Sequence, residues 1–370
     1  MTDRFINLAQ PDLGGREQEY VAEAMTTGWI SSIGHYIGEF ESKFAEFAGV
    51  EHAIATNNGT TALHLALVAL GVKAGDEVIV PSVTYVASAN AIAYCGATAV
   101  LVDVDPGTLN IDPAALEAAI TAKTVAVIAV HLYGIPARMT EINAICKPRN
   151  IFVVEDAAEA HGAKIGDDSV GSLGDVAIFS FFGNKILTTG EGGMVTTRDP
   201  ELAATLRLLR GQGMDPDRRY WFPVVGYNYR MTNIAAAIGL AQLERYDEFI
   251  AKRTQLTDRY DERLAAVAHL LEAVEVPAGF TRVPWLFNIY PVGIGAAERD
   301  AIMAALKERG VDSRPVFYPM HVLPAFESDA PFPVSDEWSA RGISLPLHTA
   351  LTIDDIDFVT AAVSDILQAQ

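Results

Sequence analysis

The sequence predicts an α/β protein: a large domain on a mostly parallel, seven-stranded sheet, with a smaller α+β domain behind it. Three observations carry this. Between residues 50 and 200, short apolar runs alternate with helical patterns. Most of those runs are β-branched without polar alternation, as expected of strands buried on both faces. After Thr232 the alternation gives way to longer helical stretches, and 370 residues are too many for one small core.

The strands are expected at His52–Thr56, Glu77–Pro81, Thr98–Val104, Val125–Val130, Ile151–Glu155, Val176–Ser180 and Gly193–Thr197. Helical patterns fall between them at Thr60–Leu70, Thr84–Tyr94, Pro113–Ile120 and Thr140–Pro148. Strand–helix–strand order implies parallel pairing with helices on both faces. Asp112-Pro113 and Asp199-Pro200 each supply an N-cap followed by a proline in the first turn. Gly71 and Gly310 suit helix C-termini. The large domain is expected to span residues 1–235, and the small one, with its linking helix, residues 236–370. In the latter the pattern predicts one long helix over Asn233–Arg263, strands at Trp285–Val292 and Asp312–Phe317, and helices at Ala296–Arg309 and Asp354–Leu367. The Pro-rich stretch Met320–Val334 is expected to be a loop, a length often functional in compact domains.

Charge narrows the function. With 27 basic and 47 acidic residues the net charge is −20, which argues against non-specific nucleic-acid binding. A phosphorylated small molecule is still compatible, because arginines and helix N-termini hold anions locally. No apolar run reaches the length of a membrane span, and the first residues lack the layout of a signal peptide, so a cytoplasmic location is expected. Cys95 and Cys146 read as small buried side chains, and no His/Cys cluster has metal-ligand spacing.

Ligands of open α/β sheets sit at the carboxyl ends of the strands. Four polar features fall there. Asn58-Gly59-Thr60-Thr61 joins a strand to an apolar helix, and suits either an anion at a helix N-terminus or a plain capped turn. Asp156 ends a buried run and needs a partner, whether a protonated ring nitrogen or the N–H groups of the next helix. Ser180 closes another strand. Lys185 lies among aromatic, glycine and small polar residues in Ser180–Gly193, surroundings that lower an amine pKa and suit Schiff-base chemistry, although a surface lysine fits the local composition as well.

Taken together, Asp156, then Lys185 and the following Thr-Gly-Glu-Gly-Gly, resemble the fold-type-I enzymes that use pyridoxal 5'-phosphate (PLP). Within them the chain resembles the nucleotide-sugar aminotransferases of the DegT/StrS type. The likeness runs through nearly the whole chain, including Gly28–Ser32, Asn58–Leu63, Pro81–Tyr85, Val130–Gly134, Glu155–Ala160 and Gly226–Thr232. Three further stretches, Ser180–Gly193, Gly211–Trp221 and Arg314–Met320, are similar to the branch that aminates C-4 of GDP-4-keto-6-deoxy-D-mannose, with L-glutamate as the expected donor. A 3-aminotransferase or cyclitol aminotransferase is the alternative within the family. A PLP-binding regulator without turnover would lack the lysine or carry a DNA-binding appendage.

The resemblance implies roles by position. Lys185 would bind PLP as a Schiff base and shuttle the proton, and Asp156 would pair with the pyridine nitrogen. Tyr85 would stack on the ring, while Gly59, Thr60 and Ser180 would hold the phosphate. Asn228 would reach the phosphate of a neighbouring subunit, which implies a homodimer with shared active sites. Glu159 stands where many relatives carry glutamine, near the ring oxygen. Ser31, Arg219 and His321 are candidate substrate groups. Related 3-dehydratases have histidine at the Schiff-base position, so Lys185 favours transamination.

Overall fold

The computed structural model describes residues 4–369. All seven strands expected between residues 50 and 200 form, and they make one sheet: β1 (His52–Thr56), β2 (Glu77–Pro81), β3 (Thr98–Val102), β4 (Thr124–Val130), β5 (Phe152–Asp156), β8 (Val176–Ser180) and β9 (Gly193–Thr197). Two-residue strands β6 (Lys164–Ile165) and β7 (Asp168–Ser169) form a separate ribbon with β10 (Phe280–Thr281). The order in the main sheet is β1-β9-β8-β5-β4-β2-β3, and β9 runs against its neighbours β8 and β1 while the remaining pairs are parallel. Apart from the edge strand β3, the strands are largely buried because their Val, Ile and Ala side chains meet helices on both sides.

Helices α1 (Glu17–Thr27) and α2 (His35–Ala48) precede the sheet and pack on α8 (Asn233–Glu244). Between strands lie α3 (Gly59–Ala69), α4 (Ala87–Tyr94), α5 (Pro113–Ala119) and α6 (Met139–Cys146), with α7 (Pro200–Arg210) after β9. Both Asp-Pro caps behave as expected: Asp112 accepts from Ala114 N–H, and Asp199 accepts from the N–H groups of Glu201 and Leu202. Gly71 and Gly310 adopt φ of 85° and 82°, the left-handed conformation that ends a helix.

The expected long helix is two helices. α8 stops at Glu244 and α9 (Tyr246–Leu264) follows, separated at Arg245, whose ψ of 11° breaks the helical path. Arg245 is held there by Asp12 at 2.9 Å and Glu248 at 2.7 Å. A second core then gathers Leu256, Tyr260, Ile302, Leu306, Ile343, Val359 and Val363, with Ile6 added from the start of the chain. It is built by α9, α10 (Ala296–Glu308), α12 (Ile353–Gln368) and an antiparallel sheet of β11 (Phe287–Ile289), β13 (Ile343–Leu345) and β12 (Arg314–Pro315). The strand expected at Asp312–Phe317 shrinks to Arg314–Pro315, because Pro315 has no N–H to extend the ladder. The Pro-rich stretch is a loop with one short turn, and α11 (Pro333–Arg341) begins at its end with proline in the first turn.

Candidate active site

The connection from β8 to β9 folds back beside the sheet, so its residues sit at the carboxyl ends of β1, β4, β5 and β8. The pairs Val130–Asp156, Ser180–Gly193 and Thr56–Gly193 fix that edge. A cavity of about 590 Å³ opens there, lined by Gly59, Thr60, Tyr85, Asp156, Glu159, Ser180 and Lys185 among others. These seven residues come from four separate stretches of chain, and the fold unites them. A hollow of about 660 Å³ between α2 and α8 is lined by Glu39, Glu46 and Glu244 with Lys43, and holds no comparable constellation.

One wall is the start of α3. Asn58 caps it, its side chain accepting from Thr61 N–H at 2.8 Å, so the first-turn N–H groups of Gly59 and Thr60 face the cavity without intrahelical acceptors. Gly59 is required by packing: a Cβ there would lie 2.9 Å from the Ser180 Cβ. A Cβ on Gly193 would likewise lie 2.4 Å from the Asn58 carbonyl oxygen. Helix start and strand end are thereby locked together, and such a cradle suits a phosphate.

Asp156 stands on the floor. Its carboxylate accepts from Ser88 Oγ at 2.8 Å and from Ala158 N–H at 3.2 Å. Burial pushes its pKa up, against the opposing pull of Ser88, Ala158 and Lys185. The side chain is therefore desolvated and short of a full counter-charge, which suits a cationic ring nitrogen. The adjacent Glu155 has a different task. It accepts from the N–H groups of Gly171, Leu173 and Gly174 and from His131 Nε2, and so pins the β5–β8 connection.

Lys185 is buried. Its Nζ lies 3.5 Å from Glu159 Oε1 and 3.9 Å from the centroid of the Trp285 ring. Burial lowers its pKa, opposed by Glu159 and Asp156. Glu159 uses its other oxygen to accept from Tyr133 N–H at 2.9 Å, and burial raises its pKa to about 7. Tyr85 is half exposed at the mouth, its ring 5.8 Å from that of Phe317, which stacks on Tyr133.

Four expected residues lie outside this lining. Asn228 accepts from Arg230 Nε at 3.3 Å and from its Nη2 at 3.2 Å. Ser31 accepts through its carbonyl from Asn233 N–H, and Arg219 is exposed over the Tyr220 ring. His321 is buried: Nδ1 meets Ser82 Oγ at 2.7 Å, Nε2 meets Asp336 at 2.9 Å, and the ring stacks on Phe332. The structure adds Ser88, Trp285 and Arg314, the first bound to Asp156 and the other two lining the cavity. Trp285 read in sequence only as part of a strand, and Arg314 as part of a strand and of the stretch Arg314–Met320; neither position alone announced a place at the cavity.

Among the described residues no group of His, Cys, Asp or Glu is arranged to hold a metal, and no helix is long and apolar enough to cross a membrane.

Known proteins match this arrangement over its full length. A GDP-perosamine synthase of Caulobacter vibrioides is 54% identical over 365 residues, covering 98% of both chains. The solved aminotransferase TlmJ from Streptoalloteichus hindustanus superposes with a TM-score of 0.93 at 35% identity, covering 98% of this chain and 99% of its own. A chain from Streptococcus pneumoniae, provisionally named a sugar aminotransferase and solved in its PLP-form, superposes with a TM-score of 0.92 at 29% identity over 99% of each. The sequence pattern of the DegT/DnrJ/EryC1/StrS aminotransferases matches residues 11–364, and the chain belongs to that family.

Proposed function

We propose that the cavity binds PLP through Lys185, and that the enzyme moves an amino group from L-glutamate to C-4 of GDP-4-keto-6-deoxy-D-mannose, giving GDP-perosamine. The observation that carries the reading is the placement of one buried amine, Lys185, and one buried carboxylate, Asp156, in a cavity that ends at a capped helix start. The donor set fits the cofactor: Gly59, Thr60 and Ser180 for the phosphate, Asp156 for the ring nitrogen, Tyr85 for the ring face. The sugar and nucleotide rest on the similarity to the Caulobacter enzyme and on the stretches near Lys185, Arg219 and Arg314.

Bound PLP supplies an electron sink for the carbon that loses its proton. The protein does the rest. Asp156 keeps the ring nitrogen protonated, and Lys185, once free, carries the proton between donor or sugar carbon and cofactor as base and then acid. Two half-reactions through one site imply ping-pong kinetics. Asn228 reaches the phosphate of a second subunit in a homodimer, whose apolar face includes exposed Trp29, Ile33 and Trp221. Ser31, Arg219 and His321 serve the sugar and diphosphate side, and the reaction is cytoplasmic.

The test is an absorbance spectrum of the full chain with PLP, then with L-glutamate, then with GDP-4-keto-6-deoxymannose, with mass analysis of the product. A Lys185-dependent band lost with glutamate and restored with the sugar supports the reading. A band that glutamate shifts but only another keto sugar restores moves the substrate. No band, or one unchanged in Lys185→Ala, overturns the reading.

A further inference from the structure

We propose that Glu159 is the proton partner of Lys185: the carboxylate takes up the lysine's proton and returns it within the cavity. The functional use of this exchange rests on the PLP reading above, whereas the exchange itself does not.

The geometry is specific. Glu159 Oε2 is engaged by Tyr133 N–H, which fixes the carboxyl group, and Oε1 turns to Lys185 Nζ at 3.5 Å. Both side chains are nearly sealed from solvent, with relative exposures of 5% and 11%. Trp285 covers the amine on another side, so its nearest oxygen partner is a carboxylate rather than bulk water. Asp156 is less suited to the exchange, because Ser88 and Ala158 already engage it.

Burial disfavours charge on both members of the pair. An ammonium facing a carboxylate and an amine facing a carboxylic acid have the same net charge and differ by one proton moved from Nζ to Oε1. The two forms approach each other in energy when the amine is pushed down and the acid up, and burial shifts the two residues in those directions. The neutral amine is the form that attacks a carbonyl or accepts a carbon-bound proton, so Glu159 frees Lys185 for either task without admitting solvent. The other ionisable groups near the pair are Asp156 and His161 from the β5 turn, the Tyr133 and Tyr290 hydroxyls, and Glu191 and Arg314 along the cavity wall.

The experiment follows the amine directly. The full chain is stripped of cofactor, labelled with trinitrobenzenesulfonate across pH, and the extent of labelling at Lys185 is read by peptide mass mapping. Coupled groups titrate as a pair, so wild type should label in two steps. Glu159→Gln keeps an oxygen for Tyr133 N–H but cannot ionise. It should label in one step, with a midpoint about one pH unit or more below the upper wild-type step, because an opposite charge has been removed. A single-step wild-type curve, or superimposable curves for the two proteins, overturns the proposal. The wild-type curve decides alone if the variant fails to fold. Failure of borohydride to fix PLP on Lys185 would sink the functional reading and leave the labelling result standing.

Discussion

Trp285 holds the Lys185 segment by two contacts: its ring lies 3.9 Å from Lys185 Nζ, and its Nε1–H donates to the carbonyl of the preceding residue, Asn184, at 2.8 Å. The lysine arrives on the β8–β9 connection and the tryptophan from a segment a hundred residues later, just before β11, so this contact ties the nucleophile to a distant stretch of chain within the main core. Trp285→Phe keeps a ring face and loses the N–H, and should cost about 1 kcal/mol of stability. Trp285→Ala should cost about 3–5 kcal/mol and slow amination roughly tenfold, because Lys185 loses the ring and the Asn184 hydrogen bond that position it. Urea unfolding and single-turnover rates measure both.

Arg253 supports that tryptophan from behind. Its buried Nη1 donates to the carbonyls of Pro284, Trp285 and Leu347 at 3.3, 3.0 and 3.1 Å. Arg253→Met fills the same space and leaves three buried acceptors unpaired, at a cost of about 3 kcal/mol or more. Arg253→Lys should fall between the two, since its ammonium has fewer donors to offer. Denaturant midpoints at constant slope would show it, and full stability in the Met variant would contradict the assignment.

For Asp156, the amide variant isolates charge from shape. Asp156→Asn keeps a carbonyl oxygen for Ala158 N–H and can donate its amide N–H to Ser88 Oγ instead of accepting from it, so its melting temperature should stay near wild type. Without a carboxylate facing the ring nitrogen, the half-reaction with glutamate should slow on the order of 10²-fold. Stopped-flow absorbance separates that loss from weaker cofactor binding.

Acid stability has a sign set by His161. It is fully buried against Phe179 and Phe181, and burial lowers its pKa from 6.5 to about 3. Between those values the unfolded chain binds the proton and the folded one does not. His161 therefore contributes stability that is present above pH 6.5 and lost as pH falls, about 1.4 kcal/mol per unit. Glu159, raised from 4.5 to about 7, works in the other direction: its contribution favours the fold below pH 4.5 and is lost as pH rises to 7. The two oppose each other between 4.5 and 6.5. His161→Phe should flatten the acid loss, measured as its unfolding free energy minus that of wild type at pH 5 and pH 7. An unchanged difference would show that His161 is not buried neutral.

The main sheet was legible because its strands are buried on both faces and therefore carry unbroken β-branched runs such as Val125–Val130. The cavity's near wall was legible for a related reason: Asn58, Asp156, Ser180 and Lys185 all follow directly on those strands, where sheet geometry puts a ligand. The break at Arg245 was not, because nothing local interrupts the helical pattern; a partner more than two hundred residues away, Asp12, sets the turn. Trp285 and Arg314 were missed as site residues for the same cause. Their place at the cavity comes from long-range packing of later chain against the sheet edge, which no local period encodes. The α1 and α2 helices were missed as well, and α1 pairs short apolar spacing with a weakly apolar face.

The beginning of the chain is stitched into its last third. Ile6 N–H donates to the Gly310 carbonyl at 2.8 Å, Asp312 N–H returns to Ile6 at 2.9 Å, and Leu347 N–H reaches the Leu8 carbonyl at 3.1 Å. On the ribosome those residues emerge well before their partners, which lie much further along the chain. The sheet bearing Lys185 can be complete in the nascent chain while the strap around Ile6 and Leu8 still hangs free, so the second core closes only after Leu347 has emerged.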